Sequence, residues 1–199
     1  MSDPQIRLFV ALEVPAGVRA ALGEVAARLR TQTGRSVRWV HPENLHLTLK
    51  FIGEVEANKK GAIEGALSAV RLHEPVVISF RGIGYIRHPQ PRVFAAGVEP
   101  TPALRGLVAG IESALVPLGI PAESREFFPH LTLARLKSGE DAALLRGEAR
   151  KSGADEIGRA AYHEFDLMQS TLRPDGAVYT RLARFPFAPP AAGTSGAAA

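Results

Sequence analysis

The hydrophobic positions of this chain follow two periods in turn. Residues 6–12, IRLFVAL, form a β-rich run leading to Pro15, a good first-turn residue for a helix. In the segment AGVRAALGEVAARLR that follows, Val18, Leu22, Val25 and Leu29 recur on one face at helical spacing, and Gly34 is expected to close the helix. SVRWV and LHLTLKFI then read as two strands joined by the turn HPEN. A second helix is predicted over about residues 56–71, with Ile63, Leu67 and Val70 as its buried stripe. Next comes the strand PVVISFRGIGYI, whose two glycines suggest a bulge or bend.

After the loop RHPQP the order restarts. RVFAAGV is a strand, and TPALRGLVAGIESALVPLG is a helix with Thr101 as N-cap and Pro102 in its first turn. Its inward positions are Leu104, Leu107, Val108, Ile111 and Leu115. The strand HLTLARL follows, then a short helix near residues 140–151. AYHEFDLMQSTL, the turn RPDG and the strand AVYTRLARF complete a hairpin. The two stretches 6–86 and 92–187 thus share one order of strands and helices without a close sequence repeat. The expected fold class is α+β: two pseudo-symmetric lobes, each a mostly antiparallel sheet backed by helices, with a cleft between them. Residues 1–187 are expected to form this single bilobal domain, and the low-complexity tail APPAAGTSGAAA, residues 188–199, is expected to fray.

Composition narrows the picture only a little. A chain of 199 residues, 46% hydrophobic and 22% charged, can bury a real core. No stretch reaches the roughly 20 apolar residues of a membrane span, and the N-terminus lacks the basic region of a secretory signal. Without cysteine there is no disulfide and no thiolate chemistry, which fits a reducing cytoplasm. The net charge of +4 permits a polyanionic partner without identifying one.

One tetrapeptide, His-Leu-Thr-Leu, occurs twice, at residues 46–49 and 130–133. In a strand, side chains at i and i+2 share a face. His46 and Thr48 therefore project together while Leu47 and Leu49 face the core, and His130 and Thr132 repeat the arrangement. Two imidazoles on opposite sides of a phosphorus atom can divide the work of general base and general acid. Threonine hydroxyls can donate to the non-bridging oxygens. Arg135 adds a permanent cation, and strict alternation puts Lys50 on the His46 face as a further helper. A single His-x-Thr would ordinarily be structural; two in matched positions favour a shared site. Only Glu43 and Glu126 lie near the motifs as acidic residues, so no metal is expected. His41, His73, His88 and His163 lack the paired threonine and are expected at the surface or in structural roles.

RLFVALEVP, VRWVHPENLHLTLKFIGEV, FPHLTLARL and GAVYTRLARFPF together resemble the two-histidine phosphoesterase superfamily over about residues 6–187. Within it the chain is most similar to bacterial and archaeal RNA 2′,3′-cyclic phosphodiesterases, historically called 2′-5′ RNA ligases. The resemblance implies hydrolysis of a terminal 2′,3′-cyclic phosphate on RNA to a 2′-phosphate, with a weak reversible 2′-5′ joining activity. It implies His46 as the acid that protonates O3′, His130 as the base that activates water, and Thr48, Thr132 and Arg135 as phosphate contacts. It supports Phe51 as a platform for a nucleobase, with Phe9 as a second candidate; the other reading of Phe51 is a core residue. The expectations are thus a cytoplasmic monomer without cofactor acting on RNA ends. The rival readings are a phosphodiesterase of small cyclic nucleotides or 2′,5′-linked oligonucleotides, and a non-catalytic module that binds RNA ends.

Overall fold

A computed structural model describes residues 3–86, 92–137, 142–152, 155–173 and 176–187. The expected tail at 188–199, the RHPQP loop and the centre of the RPDG turn lie outside the described residues. The elements run β1 (Gln5–Glu13), α1 (Ala16–Arg30), β2 (Val37–Trp39), β3 (His46–Glu56), α2 (Lys60–Ser68), β4 (Val76–Tyr85) and β5 (Val93–Val98). They continue with α3 (Pro102–Leu115), β6 (His130–Leu136), α4 (Ala142–Ser152), β7 (Glu156–Tyr162), β8 (Glu164–Arg173) and β9 (Gly176–Pro186).

The helices form where the 3.6-residue stripes are. In α1, Val18, Leu22 and Leu29 are buried together with Ala26, while Val25 packs at the margin. The helix ends at Arg30, ahead of Gly34, because the Thr31 hydroxyl donates 2.8 Å to the carbonyl of Arg28 and the chain turns there. Pro15 stands just before the helix, and its carbonyl accepts from the amide of Arg19. In α3, Thr101 caps as expected, its hydroxyl oxygen accepting from the Leu104 amide at 3.2 Å, and all five predicted positions are buried. Helix α2 is shorter than expected, because β3 runs on to Glu56 and a 3₁₀ turn fills residues 57–59.

Two antiparallel sheets carry the molecule, in the orders β3-β1-β8-β9 and β2-β6-β5-β4-β7. They do not coincide with the stretches 6–86 and 92–187. β4 leaves the first stretch to join β5, and β8 and β9 return from the second to join β1. The duplicated order survives as a duplicated sheet: β3-β1-β8 on one side answers β6-β5-β4 on the other. AYHEFDLMQSTL, read as one strand, breaks at His163, where the chain passes from β7 in one sheet to β8 in the other. β7 escaped the sequence pattern because it is an edge strand with no fully buried side chain, and its half-buried positions include the small residues Gly158 and Ala160, which make no apolar run. The predicted glycine bulge sits at Gly82, with φ +57 and the β4–β5 register slipping between Arg81 and Ile83.

One contiguous hydrophobic cluster joins the sheets and helices. Helix α3 contacts both β3 and β4 and so bridges the two sheets, α2 packs on α3 and β9, and α4 lies on β4. Helix α1 lies on β7, and Gly158 lets it approach closely: a Cβ there would sit 2.7 Å from Val18 Cγ2, and the valine side chain would have to shift. No helix among the described residues is long and apolar enough to cross a membrane.

Candidate active site

The two His-Leu-Thr-Leu segments begin β3 and β6, and these strands contact each other across the seam between the sheets. Their local geometry is the same. Against β1, Thr48 pairs with Ala11 and Lys50 with Val10, so Leu49 has no partner of its own. Against β5, Thr132 pairs with Ala95 and Ala134 with Phe94, so Leu133 is the extra residue. Each strand thus carries a β-bulge at the fourth residue of its motif, and the bulge resets the alternation. Positions 49 and 50, like 133 and 134, both turn inward; positions 51 and 135 turn out onto the face of the histidine and threonine.

That shift corrects the expectation for Lys50. Its side chain is 5% exposed, and its ammonium donates 2.7 Å to Glu112 Oε2 in α3 and 2.6 Å to the carbonyl of Pro121. It ties the bulge to the helix that spans both sheets and does not face the cleft. The same shift decides Phe51, which is 60% exposed and not a core residue.

Both imidazoles are held identically. His46 Nδ1 lies 2.7 Å from the carbonyl of Asn44, and His130 Nδ1 lies 2.8 Å from the carbonyl of Phe128. A carbonyl can only accept, so each Nδ1 carries the proton and each Nε2 is left for chemistry. Asn44 is itself fixed, its Nδ2 donating 2.8 Å to the carbonyl of Ala177 in β9. The His46 ring is clamped further by Phe9, centroids 4.8 Å apart, and by the ring of Tyr179, 5.0 Å away at 86°. Phe9 is 3% exposed, so it forms the floor under His46 and has no open face for a base. Tyr179 was not singled out from the sequence, although it lies inside the motif GAVYTRLARFPF; nothing local says that β9 comes back to lie beside β8 within reach of β3. Phe128, 56% exposed and 6.4 Å from the His130 ring, is a second open aromatic at the site. Trp39 and Tyr85 pack edge-on against Phe94.

His46 and His130 both titrate below the ordinary imidazole value. Burial is the leading cause for each, and the carbonyl of Asn44 or Phe128 opposes it. Repulsion from His130 and Arg135 lowers His46 further, and repulsion from Arg135 lowers His130. Arg135 thus acts on both rings, and His130 on His46, across the contact between β3 and β6. The resting site holds two neutral imidazoles beside one permanent cation and is ready for an anion. A depressed folded value makes stability pH-dependent with a fixed sign. The unfolded imidazoles take up protons below about pH 6.5 while the folded ones resist. Urea-unfolding free energy should therefore be flat just above that pH and fall as pH drops through the folded values. In the double variant H46Q/H130Q the fall between about pH 6.5 and 5 should flatten, and an unchanged slope would refute the assignment.

Thr48 and Thr132 are half-buried on the histidine face, and Arg135 is exposed there. Beside His46, Glu13, Met168, Tyr179 and Arg181 line a pocket. Its charges are internally paired: Glu13 meets Arg184 at 2.9 Å and Arg181 at 3.3 Å, and buried Asp166 meets Arg184 at 2.8 Å. Among the described residues no group of three or more His, Cys, Asp or Glu comes together in a way that could hold a metal ion. His41, His73 and His163 are exposed.

The family described as LigT-like phosphoesterase matches the chain twice in succession, over residues 12–95 and 97–179. This chain belongs to the LigT-like phosphoesterase family. One relative, the RNA 2′,3′-cyclic phosphodiesterase of Archaeoglobus fulgidus, is 36% identical over 183 residues, covering 90% of this chain and 99% of its own. The protein of the same name from Thermus thermophilus is 35% identical, covering 90% and 89%. The crystal structure of Escherichia coli LigT in apo form superposes with a TM-score of 0.72 at 27% identity, covering 93% of this chain and 99% of that one. The same LigT complexed with 3′-AMP gives 0.70 at 27% identity, covering 92% and 98%. The two matches of the LigT-like phosphoesterase family each contain one His-Leu-Thr-Leu segment, as the duplicated sheets do.

Proposed function

We propose that this LigT-like phosphoesterase hydrolyses the terminal 2′,3′-cyclic phosphate of RNA to a 2′-phosphate and a free 3′-hydroxyl. The observation that carries the reading is the pair of equivalent imidazoles. Each presents Nε2 with Nδ1 tied to the carbonyl two residues back, and each stands beside a threonine. The names of the relatives and the nucleotide complex of the E. coli protein support the same substrate class.

In the proposed reaction His130 Nε2 takes a proton from water as the oxygen attacks phosphorus. The P–O3′ bond breaks opposite the forming bond, and His46, entering the step as imidazolium, gives its proton to O3′. The anionic phosphodiester supplies what His46 needs, since a negative charge beside a depressed imidazole raises its pKa. The Thr48 and Thr132 hydroxyls and the Arg135 guanidinium donate to the non-bridging oxygens, where charge gathers. Phe51 offers its open face to the terminal base, and aromatic stacking of this kind contributes about 1–3 kcal/mol. No step requires a metal. In this reading the protein acts as a monomer in the cytoplasm, and small cyclic nucleotides are the alternative substrate.

The test is incubation with an oligoribonucleotide ending in 2′,3′-cyclic phosphate, with and without EDTA, followed by identification of the phosphorylated hydroxyl. A 2′-phosphate formed at the same rate in EDTA is expected. A 3′-phosphate, or no turnover, would overturn the reading.

A further inference from the structure

The register between β2 and β6 places Arg38 directly opposite Arg135. Side chains at directly opposed positions of an antiparallel pair project from the same face, and like charges there are unfavourable. The neighbours agree on the facing. Val37 and its partner Leu136 are buried, and Trp39 turns inward onto Phe94, whereas Arg38 and Arg135 are both exposed. One step along, Lys137 is exposed as well and alternates onto the Arg135 face, its amide bonded to the carbonyl of Ser36. Among the described residues, no carboxylate or other acceptor pairs with the side chains of Arg38, Arg135 or Lys137. This contrasts with Arg181 and Arg184 on the other sheet, each of which meets two or more carboxylates. Three unneutralised cations on adjoining strand positions store repulsion that an anion would relieve. Arg135 locates the cluster, because its charge reaches both His46 and His130.

We propose that Arg38 and Lys137 extend the catalytic phosphate site into a track for the phosphodiester backbone 5′ to the terminal cyclic phosphate. The protein then acts on the ends of RNA chains in preference to free nucleoside cyclic phosphates. This rests on the function proposed above and narrows its substrate class. Positions i and i+2 of a strand lie about 6.6 Å apart, comparable to successive phosphates of an extended ribose-phosphate chain. Cations spaced in this way grip a single strand through its backbone without reading its bases.

The experiment compares R38A, K137A and the double variant with the wild-type protein on two substrates. One is a short oligoribonucleotide with a 2′,3′-cyclic phosphate end, the other a mononucleoside 2′,3′-cyclic phosphate. On the oligonucleotide each single variant should lose about tenfold in kcat/KM. The dependence of log kcat/KM on log salt should become shallower by roughly 0.7 per charge removed. On the mononucleotide the variants should stay within about twofold of wild type. R38K should recover most of the loss, which a purely structural role for the guanidinium would not allow. Equal losses on both substrates, or no loss on the oligonucleotide, would overturn the track while leaving the cyclic phosphodiesterase intact. A wild-type protein that turns over neither substrate would overturn both.

Discussion

Alanine at His46 or at His130 should lower kcat for a cyclic-phosphate-ended oligoribonucleotide by about a thousandfold, within the 10²–10⁴ range of general acid–base catalysis. The loss falls mainly on kcat, because the side chains assigned to grip phosphate, Thr48, Thr132 and Arg135, remain in place. The double variant falls little further than either single one, since an acid without its base, or a base without its acid, leaves one proton transfer unassisted. Single-turnover rates together with product affinity separate the two effects. A variant that keeps more than about a tenth of wild-type kcat, or that loses RNA affinity in proportion to rate, would refute the paired-histidine scheme. Because the two rings are held alike by backbone carbonyls, a comparison of their pH profiles also tests which is acid and which is base.

Lys50→Met is the second large effect, and it falls on stability. The substitution removes the donor that sits 2.7 Å from Glu112 and 2.6 Å from the carbonyl of Pro121, at a position only 5% exposed. Breaking one side of a buried pair leaves the partner desolvated and uncompensated and costs about 3 kcal/mol. In a domain of this size that corresponds to a fall in Tm of about 6–12 °C. Adding Glu112→Leu should restore most of it, because a pair replaced whole leaves no buried charge behind. Had Lys50 faced the cleft, as strict strand alternation places it, the same substitution would lower activity and move Tm by less than about 1 °C. Thermal melts of the single and double variants therefore test the bulge itself.

Much of the site was legible before any fold was known. A tetrapeptide repeated in two stretches of matching order gives the imidazole–hydroxyl pairs by the period-2 rule alone. That rule needs only two residues on one strand, so it holds for His46 with Thr48 and for His130 with Thr132. It fails one turn of the pleat further on. The bulges at Leu49 and Leu133 are set by pairing with β1 and β5, and a single inserted residue exchanges Lys50 for Phe51 on the working face. Phe9 and Tyr179 likewise took their places around His46 from strands distant in the chain.

The sequence by itself determined the helices with their buried stripes, the polar front and leucine rear of each motif strand, and the chemistry those side chains can perform. These depend on neighbours a few residues apart, which local backbone geometry links directly. Only the tertiary structure decided which strands share a sheet, where the register slips, and that Arg38 stands opposite Arg135. Those are long-range pairings, chosen by how the whole chain buries its apolar surface and satisfies its backbone hydrogen bonds, and no short window of residues contains that information.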